Sequence, residues 1–97
     1  MNINAMMQQA KKMQAELEKK KAELSKKEFT VEKQGITVIM MGDRKLKSIT
    51  INDALIDPED KDILEDLTVI AVNEAIDLVN EAEDEIQSAS VPNGMPF

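Results

Sequence analysis

The sequence predicts an α+β domain: a long N-terminal helix, a three-stranded antiparallel sheet and a C-terminal helix. Three observations predict it. Apolar residues recur at helical spacing over residues 3–27 and again over 57–88. Between these stretches, residues 28–52 turn to strand chemistry and are punctuated by Gln34-Gly35 and Gly42-Asp43. The length, 97 residues, fits one domain, placed at residues 1–88, with 89–97 as a loose tail.

The first helix is read over residues 3–27. Ile3, Ala10, Leu17 and Leu24 repeat every seven residues, and Met6 and Met13 fill the alternate positions for two heptads. That pattern is the seam of a coiled-coil-like contact. After Met13 the alternate positions become Lys20 and Lys27, so the helix is expected to leave the body there. Glu16–Lys20 and Glu23–Lys27 are spaced by four in the favourable order and support an exposed helix. At 1.5 Å per residue such a helix reaches about 37 Å, more than a small body needs to cover.

Three strands follow. Phe29 and Val31 alternate with Glu28, Thr30 and Glu32. Ile36 to Met41 makes the second strand, apolar on both faces from Val38, which suits a central strand whose second face meets another subunit. Leu46 to Asn52 makes the third and is expected to place Lys47, Ile49 and Ile51 on one face.

The second helix is read over 57–88, with Asp57 as N-cap, Pro58 in the first helical position and Glu59, Asp60 and Asp62 at the positive end of the dipole. One apolar stripe holds Ile63, Leu67, Ile70, Ala71, Leu78 and Ala82; a second holds Val69, Val72, Ile76 and Val79. A helix this apolar around its girth is buried on more than one side. The expectation is an obligate homodimer in which Val69, Val72, Ile76 and Val79, or Ile39 and Met41, meet the partner. The tail contains Pro92, Gly94 and Pro96.

Composition excludes most chemistry. With no Cys and no His, thiolate nucleophiles, Cys-based metal sites and the commonest general base are missing. The serines have no motif or partner to activate them, and the glycines are too scattered to cradle a phosphate. The carboxylates Asp57, Glu59, Asp60, Asp62, Glu65 and Asp66 lack the turn glycine of a calcium loop, so they read as a helix start and its solvated face. No catalytic residue, metal, cofactor or small-molecule substrate is expected, and no membrane span or secretory leader is visible. A soluble, cytoplasmic, non-enzymatic protein remains.

The net charge is −7, which taken alone argues against nucleic acid. Its distribution is uneven. Residues 1–27 hold seven Lys against three Glu, a surplus of +4, whereas residues 56–97 hold Lys61 against twelve acids. Lys12, Lys19 and Lys26 repeat every seven residues, with Lys20 and Lys27 beside them. Such a strip neutralises phosphates without reading bases. Glu16 and Glu23 interrupt it, and on the residues alone a solvated helix face is the favoured reading.

The order of elements and four segments together resemble a known family. Met6-Met7-Gln8-Gln9-Ala10-Lys11-Lys12-Met13-Gln14 is similar to the Met/Gln-rich opening helix of the YbaB/EbfC family of bacterial nucleoid-associated proteins. The segment from Gly35 through Val38 to Gly42 and on to Leu46–Ile51 is similar to that family's hairpin with paired glycines. Leu64-Glu65-Asp66-Leu67, followed by Ala71, Asn73 and Ala75, resembles its most distinctive stretch, and Gly94-Met95-Pro96-Phe97 a common ending. The chain departs from the family in a shorter, glycine-poor start and in Asn52 where Asp is frequent. The resemblance implies a tweezer-like homodimer with projecting helical prongs, a double-stranded DNA partner, and a nucleoid role in chromosome organisation and gene regulation. It fixes no individual contact. By charge and geometry the expected phosphate contacts are Lys11, Lys12, Lys19, Lys20, Lys26 and Lys27, with Arg44, Lys45 and Lys47 on the hairpin as a second set. The competing reading is a coiled-coil chaperone or adaptor laid out like a prefoldin subunit.

Overall fold

The computed structural model describes residues 2–89. The chain runs α1 (Ile3–Ser25), β1 (Glu28–Lys33), β2 (Ile36–Met41), β3 (Leu46–Ile51), two single 3-10 turns (Asp53–Leu55 and Pro58–Asp60) and α2 (Lys61–Ala89). The strands form an antiparallel meander in the order β1-β2-β3, so the apolar β2 is central as its sequence predicts. The expected tail over 89–97 lies, from residue 90, outside the described residues, as does the Gly94-to-Phe97 ending; Ala89 is the last residue of α2.

Local chemistry sets the boundaries. The Asn2 side chain accepts the Ala5 N–H and starts α1. Gln34 and Gly35 both have positive φ, 49° and 100°, the signature of the two-residue turn that matches strand twist. They join β1 and β2 in the register Lys33 to Ile36. Asp57 caps as expected, its carboxylate accepting the Glu59 N–H at 3.0 Å, and Pro58 takes the first helical position. That first turn is 3-10, however, and the α-helix proper begins at Lys61.

The core lies between one face of the sheet and α2. Val31, Ile36, Val38 and Met40 from the sheet meet Leu67, Ala71, Ala75 and Val79 from α2. Ala71 and Ala75 are fully buried; their small side chains let the helix approach the strands closely. Lys33–Glu74, 2.7 Å, ties β1 to α2 at one flank, and Arg44–Glu83, 3.0 Å, ties the β2–β3 hairpin to it at the other.

Two features depart from expectation. The β2–β3 ladder shifts register between Ile39 and Met40: Ile39 faces Ser48 but Met40 faces Leu46. Lys47 is therefore the extra residue of a bulge. A one-residue insertion turns a side chain to the other face. Lys47 leaves the face of Ile49 and Ile51, and its Nζ reaches Glu28 at 2.6 Å instead. Leu46 takes its place beside Ile49.

The second departure concerns α1. The thinning of its seam predicts a helix that leaves the body after Met13. It is attached at the opposite end: Leu24 is its one buried residue, while Ile3, Met6, Met7 and Met13 are exposed. The cause is a backbone contact that hydropathy does not encode. The Gly42 N–H donates to the Lys27 carbonyl at 2.9 Å. A Cβ built on Gly42 would overlap the Leu24 carbonyl oxygen. Only glycine lets the end of α1 seat there. The molecule is correspondingly long, with extents of 71 × 27 × 13 Å.

Candidate nucleic-acid interface

Helical spacing places Lys12, Lys19 and Lys26 in a line with about 10.5 Å between successive members. All of Lys11, Lys12, Lys19, Lys20, Lys26 and Lys27 are exposed. Among the described residues, every ion pair lies elsewhere, on Lys33, Arg44 and Lys47. The α1 lysines thus keep their charge for an outside partner. Lys26 and Lys27 follow the last helical residue, and Lys27 Nζ sits 5.3 Å from the centre of the Phe29 ring. Lys11, Lys12, Lys19 and Lys20 stand along the projecting helix itself.

The expected second set is divided by the fold. Arg44 sits in the left-handed region, φ 69°, and its guanidinium donates from Nε to the Asn80 side-chain oxygen at 3.1 Å while pairing with Glu83. Lys47 is held by Glu28. Of the three hairpin cations, Lys45 alone has no such side-chain partner among the described residues; its backbone N–H donates to Asp43. The hairpin set is therefore mostly engaged in holding the fold together.

The ends of α1 and α2 enclose a cleft of about 280 Å³ lined by Lys20, Glu23, Leu24, Lys27, Ala82, Glu85 and Ile86. Two lysines face two glutamates there, so the cleft concentrates neither sign and is a poor anion pocket. It also sets a gradient along the prong: Lys20 and Lys27 stand near Glu85, whereas Lys11 and Lys12 lie farther from the acids of α2.

The expected dimer residues have different surroundings. Val79 is fully buried within the chain, so it offers a partner no surface. Val72 and Ile76 are half-buried at the edge of the core, and Val69 is 59% exposed. Ile39 and Met41 are half-buried on the face of the sheet away from α2. Leu46 and Ile49, which sequence reading does not single out, are left 44% and 37% exposed. They lie on the core face of β3, which α2 does not cover because it packs along β1 and β2. The bulge is what brings Leu46 to that face, and strand alternation alone does not disclose it.

Among the described residues no group of three or more His, Cys, Asp or Glu is placed to ligate a metal. Calcium or magnesium at constant ionic strength is therefore expected to leave the melting temperature unchanged. A rise of several degrees, followed by circular dichroism, would reveal a site. No described helix is long and apolar enough to cross a membrane.

A family model described as the YbaB/EbfC DNA-binding family matches residues 1–95. A nucleoid-associated protein of Mycoplasmopsis pulmonis is 57% identical over 98 residues, spanning 100% of this chain and 97% of that protein. Another from Metamycoplasma arthritidis is 55% identical over 86 residues, or 89% of this chain and 90% of that protein. Among solved structures, an uncharacterized protein from Helicobacter pylori superposes with a TM-score of 0.77 at 19% identity, covering 92% of this chain and 96% of the other. At that identity the likeness establishes the fold alone.

Proposed function

The chain belongs to the YbaB/EbfC DNA-binding family, and from that premise we infer a nucleoid-associated protein that binds duplex DNA as a homodimer with weak sequence preference. It acts in the cytoplasm, on the nucleoid, in chromosome organisation and gene regulation. The family and the names of its relatives are those of DNA-binding proteins rather than of enzymes.

The observation that carries the reading is the row of exposed α1 lysines, free of intrachain ion pairs among the described residues, on a helix whose one buried residue is Leu24. A lysine is a point charge with no planar fork for a base edge. Contacts of this kind hold the phosphate backbone and discriminate little between sequences. The acids of residues 56–97 must stay clear of the duplex, which leaves affinity modest and steeply dependent on salt. The test is a mobility-shift series with several unrelated duplexes across a range of salt. Similar affinities and a steep, shared salt slope support the reading; tight binding to one sequence only, or a flat slope, would refute it.

The dimer reading rests on apolar surface that α2 leaves open: Leu46 and Ile49 are exposed on β3, and Val72 and Ile76 of α2 are only partly buried at the edge of the core. Two copies meeting there by a two-fold axis bury on each what α2 leaves open. Ile49→Glu introduces a charge at a site already at the surface of the single chain, so it is expected to halve the mass seen by light scattering while the helical circular dichroism persists. A monomer mass for the wild type at micromolar concentration would overturn the dimer. The chaperone layout gains no support from burial: among the described residues Leu24 is the one buried residue of α1, whereas a helix paired along a coiled-coil seam buries that seam throughout.

A further inference from the structure

The cleft between α1 and α2 brings opposite charges together without pairing them. Lys20 and Lys27 line it from the side of α1 and Glu85 from the side of α2, with Leu24, Ala82 and Ile86 lining the same space. The three charged side chains are exposed, and among the described residues none of them closes an ion pair. Lys27 turns to Phe29 instead, its Nζ 5.3 Å from the ring centre. Glu85 has no cation nearby on its own helix. The last turn of α2 carries no basic residue, and Lys61, the one base of α2, is at the opposite end, about 36 Å away.

We propose that Glu85 is an internal rival of the DNA phosphates at the base of the prong. Its carboxylate attracts Lys20 and Lys27 across the cleft and repels any phosphate that approaches them. The inference rests on the DNA reading above and deepens it, because it divides the lysine row into a free part and a restrained part. At physiological ionic strength the field of an exposed charge decays over about 8 Å. Lys12 is about 12 Å from Lys20 along the helix axis, on the side away from the cleft, and Lys11 is farther still. Glu85 therefore weakens the cations at the base and leaves those toward the tip untouched. A duplex is held first by the outer lysines and engages Lys20 and Lys27 only against the opposition of Glu85.

Glu23 also lines the cleft, but it rides on α1 together with the lysines, so its effect on them is constant. Glu85 sits on the other helix. Its influence on Lys20 and Lys27 depends on the angle between α1 and α2.

Glu85→Gln removes the charge and keeps the size of an exposed side chain. Asp84→Asn is the control: it changes the net charge equally, one residue away, at a position that does not line the cleft. Mobility shifts on one duplex are run across a salt series for the wild type, both single variants, the Lys20→Gln/Lys27→Gln protein and that protein carrying Glu85→Gln. Thermal unfolding checks that each is folded. Glu85→Gln is expected to tighten binding about threefold, the effect of one exposed charge near a phosphate in a medium close to water. It is also expected to steepen the slope of log K against log salt by about 0.9 for each phosphate newly contacted. Asp84→Asn should leave both quantities near those of the wild type, and the gain from Glu85→Gln should vanish once Lys20 and Lys27 are Gln. Binding by Glu85→Gln that matches the wild type, equal gains from Glu85→Gln and Asp84→Asn, or a gain that survives without the two lysines would overturn the proposal while leaving the DNA reading in place. A wild type that shifts no duplex would overturn that reading, and this inference with it.

Discussion

Lys11, Lys12, Lys19 and Lys20 changed together to Glu are expected to abolish the mobility shift and leave the fold intact. These four stand on the projecting part of α1, exposed and without an ion pair among the described residues. Reversing them removes four cations and installs four anions along each prong. Each phosphate left uncontacted takes about 0.9 off the magnitude of the slope of log K against log salt. The fold is expected to survive because no buried group is touched; Lys26 and Lys27, which lie at the junction with the sheet, are left alone. Thermal unfolding checks the fold, and a salt series of mobility shifts checks the binding. An unchanged shift and slope would mean that the row is a solvated face and that DNA is held elsewhere. Arg44→Ala is the contrasting case. Its charge is spent on Asn80 and Glu83, so it should cost stability more than it costs salt slope.

Gly42→Ala is expected to destabilise the protein by about 3 kcal/mol, a loss of roughly 12–24 °C in Tm for a domain of this size. The added methyl group would overlap the Leu24 carbonyl oxygen and fall 2.5 Å from its carbonyl carbon. Both are backbone atoms, so no side-chain rotation relieves the clash. The end of α1 must withdraw, breaking the hydrogen bond from Gly42 to Lys27 and exposing Leu24. Leu24→Ala separates the two contributions, since it empties the contact without the clash. A Gly42→Ala protein that melts with the wild type would show that α1 is not seated by this contact.

Much of the fold is legible in the sequence because it rests on local periodicity. The paired turn residues Gln34 and Gly35, the apolar run of β2 and the stripe of α2 each state their geometry within a few residues. What escapes has identifiable physical causes. Sequence spacing groups Val79 with Val69, Val72 and Ile76, yet it belongs with Leu67, Ala71 and Ala75. A step of four residues overshoots one helical turn by about 40°. Over three such steps the buried line rotates from the first stripe into the second, and Val79 reaches the sheet. The bulge at Lys47 is invisible for a different reason. One extra residue leaves composition and alternation almost unchanged while reversing which face each side chain occupies. The attachment point of α1 is ambiguous in sequence because both ends of its seam carry similar apolar residues. What decides between them is the space beside Gly42, a property of two segments far apart in sequence. For the DNA site, the lysines are legible as a charge pattern, but their availability is not: which cations are spent internally depends on Glu28, Asn80 and Glu83 arriving from other elements.

The attachment of α1 at one end makes it a lever. The helix is about 34 Å long at 1.5 Å per residue, and its fixed point lies between Leu24 and Gly42. A rotation of about 10° at that pivot would carry the far tip through about 6 Å. A small change of angle at the Leu24–Gly42 contact would thus be magnified several-fold at the tip. Under the proposed DNA-binding reading, the reach of the prong is therefore set by the angle at this one joint.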